Sequence, residues 1–361
     1  MAIITFLDLI QQEQFRDYVL KRLVKHTKDR SYSFQGPFPP LYKYRGLSEF
    51  AVNDIVSGKF TLTSIGDFND LFDGSLHKFG TEKERMAAAE QKWVEFEKHR
   101  ISAGLPEGLL THDSMVNDYK NYYKTESKLK FRELDYLGTY VGSLSTVDNS
   151  ILMWSHYAQD NSGICIQYDF NQLPPDHLLR EMIFPVSYSC KPIELTDLLD
   201  DKKGDIYQYP LDAAVLCAAL SKAEIWSYEH EWRIILVTAS EKTRNHRLPI
   251  NVCTLPRSIC FGYHFLKPMF YYAHNNSDEW NSAMNRIQNL LRLINYMVDN
   301  KIGTRIMCPV IGTYGLKAVP IEAEKLIQFI AYHFSDNEPE FIRYYYTIHD
   351  ELMDMVEGKW G

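Results

Sequence analysis

Apolar residues recur at every second position in a set of short segments along the chain. This alternation is typical of β-strands that bury one face. The segments are LYKYR at 41–45, KFTLTS at 59–64, GTYVGSLS at 138–145, GICIQYD at 163–169, FPVSYS at 184–189, EWRIILVT at 231–238, RLPINVC at 247–253 and SICFGY at 258–263. We predict a strand at each of them.

In a second set of longer segments, apolar residues recur three and four positions apart, which is the period of an α-helix. These segments cover about 11–26, 81–100, 112–133, 211–224, 279–300 and 321–357. Between the first helix and the first strand, SYSFQGPFPP at 31–40 is rich in Pro and Gly and predicts a linker.

The order of these elements predicts an α+β fold with a mixed or antiparallel sheet, because strands and helices do not alternate regularly. We divide the chain into an N-terminal helix and linker at 1–40, an α+β core at 41–270 and a mainly helical C-terminal extension at 271–361. The two helices at about 81–135 interrupt the core as a helical insertion. Neither of the common glycine-rich nucleotide-binding loops occurs.

Composition and local motifs disfavour several classes of protein. The formal net charge of −8 argues against general nucleic-acid binding, which normally requires a basic face. The six cysteines form no C-x-x-C pair, and the acidic run at 67–74 has Leu71 and Phe72 where a calcium loop needs an acceptor and a glycine, so no metal site is expected. The sequence has no apolar run long enough to span a membrane and no basic signal-like start, so we expect a cytoplasmic protein.

The segment SILMWSHYAQDNSGICIQYDF at 150–170 combines a short apolar stretch, a polar turn and a strand. A helix this short needs tertiary packing to be stable. Met153 and Trp154 can supply that packing and are expected in the core. Ser155 and Tyr157 are then candidates for a pocket wall, and the role of His156 stays open.

A second candidate constellation is WSYEHEWRIIL at 226–236. If the strand already includes Glu229, then Glu229, Glu231 and Arg233 share one face. Two neighbouring carboxylates can perform acid–base chemistry or stabilise an oxocarbenium ion. The alternative is a solvent-exposed ladder between Glu231 and Arg233, which contributes little to stability.

The strand LYKYR carries the third candidate set. Tyr42 and Tyr44 are expected on one face, with Lys43 and Arg45 on the other. Two cations on one face can bind a phosphate or a ribose, or they can simply face solvent.

Taken together, YKYR, FND, MWSHYA and W-x-x-E-x-E-W-R, in this order, resemble a widespread bacterial family known as a domain of unknown function. A weaker resemblance is to the ADP-ribosyltransferases, which would imply a split sheet and NAD as substrate. It implies cofactor binding by Lys43 or Arg45 together with Ser155 and Tyr157. It implies catalytic roles for Glu231, its partner Glu229 and Tyr157.

This resemblance leads to our first hypothesis, an NAD-using ADP-ribosyltransferase-like enzyme or an NAD glycohydrolase. Family analogy suggests a bacterial toxin or phage-defence effector. The expected partner is NAD or another nucleotide-like small molecule, with the acceptor undetermined. The alternative is a non-catalytic module for ligand or protein binding. A nucleic-acid-processing enzyme is a third hypothesis, which the acidic net charge disfavours.

Overall fold

The structure is a computed structural model. It describes residues 23–26, 31–34, 37–68, 70, 73, 82–104, 106, 111–114, 116, 139–190, 219–237, 246–252, 254–270, 277–334 and 345–358.

The centre of the molecule is a mixed sheet of ten strands. Its members are β3 (Leu41–Arg45), β4 (Lys59–Ser64), β5 (Thr139–Ser145), β6 (Ile164–Tyr168), β7 (Ile183–Pro185), β10 (Glu231–Val237), β11 (Arg247–Asn251), β12 (Ser258–Phe261), β13 (Gly303–Val310) and β14 (Gly315–Ile321). The main path through the sheet runs β11-β4-β5-β3-β6-β12-β13-β14, and β10 pairs with β5 and β7. Only the β12–β13 pair of this sheet is parallel among the described strands. Two small sheets pair β1 (Leu23–His26) with β2 (Ser31–Phe34), and β8 (Ser187–Ser189) with β9 (Ser221–Ala223).

The sheet forks at β5. Along one edge, β5 pairs with β10 from Thr139 to Ser145. Two strands share the other edge of β5. Strand β4 pairs near the beginning of β5, and β3 pairs only at its end, where Tyr42 lies opposite Ser145. Strands β3 and β4 therefore diverge from a common neighbour. The gap between them lies beside residues 142–144.

A glycine at the fork allows close packing of the diverging strands. A Cβ atom on Gly142 would lie 2.5 Å from the ring of Phe60 and 2.6 Å from the side chain of Leu62, both on β4. Side chains from β4 therefore lie directly against the backbone of β5. A larger residue at position 142 would push the two strands apart.

Helices cover both faces of the sheet. They are α1 (Glu49–Val56), α2 (Glu82–Ser102), α3 (Ile151–Tyr157), α4 (Leu178–Glu181), α5 (Lys267–Phe270), α6 (Ser277–Asp299), α7 (Ala323–Phe334) and α8 (Tyr345–Val356). The larger core includes buried side chains of α1, α6, α7 and α8. A smaller cluster on the other face packs α3 against the sheet through Trp154, Cys165 and Cys260. None of the described helices is long and apolar enough to cross a membrane.

The α+β class and the mixed sheet confirm the sequence-based predictions, and β3, β6 and β10 are strands of that sheet at three of the predicted segments. The helix predicted at 11–26 is wrong at its end, where Leu23–His26 forms a strand that pairs with Ser31–Phe34. The linker predicted at 31–40 is also wrong at its beginning, because Ser31–Phe34 is the strand β2. The helix predicted at 211–224 is also wrong at its end, because β9 and a 3-10 turn (Glu224–Glu229) follow there.

In the C-terminal part of the chain, helices α6, α7 and α8 confirm the predicted helices. Strands β13 and β14 were not predicted, and they extend the same sheet as the core. Helix α2 confirms the first helix of the insertion. Most of the second, predicted at 112–133, lies outside the described residues.

Candidate functional site

A cavity of about 340 Å³ lies in the fork of the sheet. Strands β3, β4 and β5 contribute to its walls, together with α3 and the segment 222–231. Its lining includes Tyr42, Lys43, Ser143, Tyr157, Glu229 and Glu231. The divergence of the strands leaves room here for a ligand, with aromatic and charged side chains around it.

Helix α3 carries Tyr157 to this cavity. The side chain of Ser150 caps the helix by accepting a hydrogen bond from the Met153 amide. Trp154 is fully buried, packs edge-on against Tyr44 at 5.4 Å and donates from Nε1 to the Asp148 carbonyl at 2.7 Å. These contacts fix a helix of seven residues that would not be stable alone.

An unusual turn connects α3 to β6. Gln159, Asp160 and Asn161 have φ angles of 51°, 52° and 64°, so three consecutive non-glycine residues adopt the left-handed conformation. The chain then passes through Gly163, where a Cβ atom would lie 2.2 Å from the Arg45 carbonyl oxygen. The turn brings α3 tightly against the end of β3 at a cost in backbone strain.

The floor beside the cavity is a buried charge network centred on Arg233. Arg233 is fully buried, and its two Nη atoms donate to the carboxylate of Asp73 at 2.7 and 2.6 Å. The same guanidinium donates from Nε and Nη2 to the two oxygens of Glu231, both at 2.9 Å. Arg233 thus binds each carboxylate through two hydrogen bonds, and these bonds compensate for the hydration that the three buried charged groups lose on folding.

Lys222 extends the network toward the cavity. Its ammonium binds Glu229 at 2.5 Å and Glu231 at 3.0 Å. The other oxygen of Glu229 accepts a hydrogen bond of 2.6 Å from the hydroxyl of Tyr157. Glu229 is thus the carboxylate that connects the ion network to the aromatic wall.

The two glutamates differ in their electrostatic environment. Burial raises the pKa of Glu229 and outweighs the nearby ammonium of Lys222. Burial also acts to raise the pKa of Glu231, but Arg233 and then Lys222 outweigh it and hold that pKa at about 2. Glu231 is therefore ionised at neutral pH, whereas the raised pKa of Glu229 makes it the carboxyl group better suited to take up and release a proton. The pKa of Tyr157 is raised by burial and by its bond to Glu229.

Of the sequence-predicted site residues, Lys43, Tyr157, Glu229 and Glu231 all line the cavity. Arg45 does not; its guanidinium binds Asp54 at 2.9 Å. Ser155 is partly exposed on α3 and is also outside the lining.

The local geometry differs from two expectations. Glu229 does not lie on the strand but ends the 3-10 turn before it, and His230 follows with a φ of 45°. The carboxylates of Glu229 and Glu231, on either side of this left-handed residue, both bind Lys222. An exposed Glu231–Arg233 ladder is ruled out, since the two residues are 2% and 0% exposed.

Three further participants were not identified from the sequence. Asp73 lies in the acidic run at 67–74, which was considered as a calcium loop and rejected, and its amide donates to the Asp70 carbonyl at 3.3 Å. Lys222 fell in a predicted helix. The third participant is Tyr188, whose hydroxyl accepts a hydrogen bond of 2.8 Å from the amide of Glu231. The acidic run around Asp73 was the only signal in the sequence.

Among the described residues, no group of three or more His, Cys, Asp or Glu side chains could hold a metal ion. The lining of the cavity includes charged side chains and tyrosines.

A family model described as a protein of unknown function (DUF2971) matches residues 153–234. The match supports the resemblance to a domain-of-unknown-function family. The matched segment contains Tyr157, Lys222, Glu229, Glu231 and Arg233, which are the side chains of the network on one side of the cavity. Searches of the curated proteins and of the solved structures found no significant match.

Proposed function

We propose that this protein cleaves the nicotinamide–ribose bond of NAD, as an ADP-ribosyltransferase-like enzyme or an NAD glycohydrolase. The observation that carries the proposal is the pairing of Tyr157 with Glu229, 2.6 Å apart, at the wall of the cavity in the forked sheet. Such a cavity offers a carboxylate and aromatic rings to a sugar and an attached base.

The chemistry requires a negative charge near the ribose. As the bond to nicotinamide breaks, positive charge develops on the sugar ring, and a carboxylate placed beside it lowers the barrier. A ribose hydroxyl entering the cavity would compete with Tyr157 for Glu229. The ring of Tyr157 then offers a face for stacking on nicotinamide.

Within this proposal, the two glutamates have different roles from those first expected. Glu229 contacts the substrate. Glu231 is a positioning residue, because both of its oxygens are held by Arg233 and one of them also holds Lys222. Lys222 in turn fixes the orientation of Glu229.

The test is to incubate the purified protein with NAD labelled in the nicotinamide and the adenosine parts, with and without cell lysate. Nicotinamide release without a labelled product other than ADP-ribose indicates a glycohydrolase, and labelled lysate components indicate a transferase. We expect Glu229→Gln to reduce release per folded molecule by roughly 100-fold or more, with the folded fraction measured by urea unfolding.

Glu224→Gln is the matched control, because Glu224 is an exposed carboxylate at the beginning of the same 3-10 turn. Its turnover should equal that of the parent protein. A folded Glu229→Gln variant with parental turnover, or a parent protein that releases no nicotinamide, would contradict the proposal.

We extend the proposal to the biological role suggested by family analogy. An enzyme that consumes NAD can exhaust the pool of a cell, which is the action expected of a toxin or a phage-defence effector. Expression in a bacterial host should then lower cellular NAD and arrest growth, and Glu229→Gln should do neither.

A non-catalytic ligand-binding module is the second candidate function. The observation that favours it is the complete internal pairing of Glu231, which is 2% exposed and stabilises the fold. In that case NAD or a related nucleotide binds the cavity and is recovered intact. Titration calorimetry followed by chromatography of the bound nucleotide separates this function from the first.

A further inference from the structure

The cavity contains two lysines in opposite environments. Lys222 is surrounded by carboxylates, since Glu229, Glu231 and Asp73 lie within 2.5, 3.0 and 3.7 Å of its ammonium. Lys43, on β3, donates to the Ser143 carbonyl at 2.9 Å and has no salt bridge within the part of the chain that the structure describes. Carboxylates therefore neutralise the charge of Lys222, whereas no described carboxylate forms a salt bridge with Lys43.

Burial is the feature of the Lys43 site that most favours the neutral amine. The side chain is half-buried, and its nitrogen lies 5.2 Å from the centre of the Phe60 ring, a cation–π contact that by itself favours the ammonium. Arg45 projects from the same face of β3, two residues away, and adds a like charge. Burial, followed by the charge of Arg45, lowers the pKa of Lys43 to about 8, against the smaller opposing effects of the Glu231 and Asp54 carboxylates. About a tenth of the amine is then unprotonated at pH 7.

An unprotonated amine at a cavity wall is a nucleophile. We propose that Lys43 forms an imine with the aldehyde group of a small ligand, such as an open-chain sugar, bound in the cavity of the forked sheet. The position of Lys43 makes this reaction accessible, because the cavity lies between the diverging strands and Lys43 lines it together with Ser143 and Glu229.

The reaction needs no oxidant or reductant. The lone pair of Nζ forms a bond to the carbonyl carbon while the π electrons move to the oxygen, which takes up a proton. Nζ loses its protons as the C–O bond breaks and water leaves, which gives the C=N bond. Glu229 lines the same cavity and can supply the proton for the departing water.

One ligand follows from the preceding section, and this step rests on the proposed function. Hydrolysis of NAD produces ADP-ribose, whose terminal ribose opens to an aldehyde at the carbon that carried nicotinamide. Lys43 would capture that carbon. The reactivity of the amine toward other aldehydes does not depend on NAD cleavage.

The experiment uses glycolaldehyde, a two-carbon hydroxyaldehyde, with sodium cyanoborohydride to reduce any imine to a stable amine. Peptide mapping by mass spectrometry then locates the added mass after limited reaction at pH 7.5. We expect labelling of Lys43 to exceed that of the exposed Lys59 by at least about tenfold, and Lys222 to stay unlabelled. Lys43→Arg keeps the positive charge and should abolish the label at this position, with urea unfolding as the check on its fold.

The inference is overturned if Lys43 is labelled no faster than Lys59. A parallel reaction with ADP-ribose tests the specific ligand, and its failure restricts the site to smaller aldehydes. If glycolaldehyde labels Lys43 in a protein that does not cleave NAD, the inference about Lys43 is supported and the proposed function is contradicted. If NAD is cleaved while Lys43 stays unlabelled, the proposed function is supported and the inference about Lys43 is contradicted.

Discussion

Replacing Arg233 with methionine tests the energetic role of the buried network. The change keeps much of the side-chain length but leaves the carboxylates of Asp73 and Glu231 without their main partner. Both carboxylates are buried, at 3% and 2% exposure. Unpaired charges in such surroundings are strongly destabilising.

The magnitude can be estimated in two ways. A shift in the pKa of Glu231 from 4.5 to about 2 corresponds to roughly 3 kcal/mol, because each tenfold change in proton affinity is about 1.4 kcal/mol. Arg233 supplies the larger part of that stabilisation and also neutralises Asp73. Removal of one partner of a buried ion pair generally costs about 3–5 kcal/mol, which is consistent with the first figure. For a chain of this size the melting temperature should fall by about 5 °C.

The loss should depend on pH with a definite sign. Because the folded-state pKa of Glu231 is depressed, its stabilising contribution is complete above pH 4.5 and is lost as pH falls toward about 2. In Arg233→Met this carboxyl group can protonate at a higher pH and relieve the buried charge. The difference in unfolding free energy between the two proteins should therefore shrink as the pH is lowered from 7 to 4.

Urea unfolding followed by fluorescence at both pH values provides the measurement. Arg257→Met is the matched control, because Arg257 is 66% exposed and lies 3.8 Å from Asp169; it should cost less than about 1 kcal/mol. Equal stabilities of the Arg233 and Arg257 variants at pH 7, or a difference that does not change with pH, would refute the reasoning.

Three further predictions concern packing, backbone and pH. Gly142→Ala should cost about 1–3 kcal/mol in urea unfolding, because its Cβ would lie 2.5 Å from Phe60; unchanged stability would show that β4 and β5 can separate freely. Asp160→Gly should be about 1 kcal/mol more stable than Asp160→Ala, since φ is 52° there, and the opposite order would argue against the left-handed turn. Burial lowers the pKa of His349 from 6.5, so its contribution to stability is complete above that pH and declines below it; His349→Gln should flatten this part of the stability profile.

Sequence patterns predicted helices and strands well in segments where the apolar residues follow a single period. The alternation in β3, β6 and β10 correctly indicated strands. Trp154 was correctly expected in the core, where it is fully buried. In these segments, local periodicity and tertiary packing favour the same conformation.

The buried network could not be predicted because its members are distant in sequence. Asp73 and Arg233 are 160 residues apart, and charged residues are normally assigned to the surface. Glu231 was accordingly expected to be partly exposed and dispensable for stability. Its bonds to Arg233 and Lys222 now predict that Glu231→Gln destabilises the fold.

Strands β13 and β14 escaped prediction for a different reason. The burial of β13 does not alternate, since Ile306, Met307 and Cys308 are buried in succession. Ile306 and Cys308 pack into the larger core and Met307 into the smaller cluster on the other face, so β13 shows no polar face and no clear period of two. Strand β14 is only partly buried along its length and gives no strong alternation either.

The separation of Asp73 from Arg233 also determines when the site can exist during synthesis. On the ribosome, Asp73 is made 160 residues before Arg233, and Lys222 and both glutamates arrive only shortly before Arg233. A nascent chain that ends before Arg233 has no completed charge network and so no ordered cavity floor. Truncated or prematurely released products would consequently lack the cavity floor, and the complete site could form only after Arg233 has left the exit tunnel.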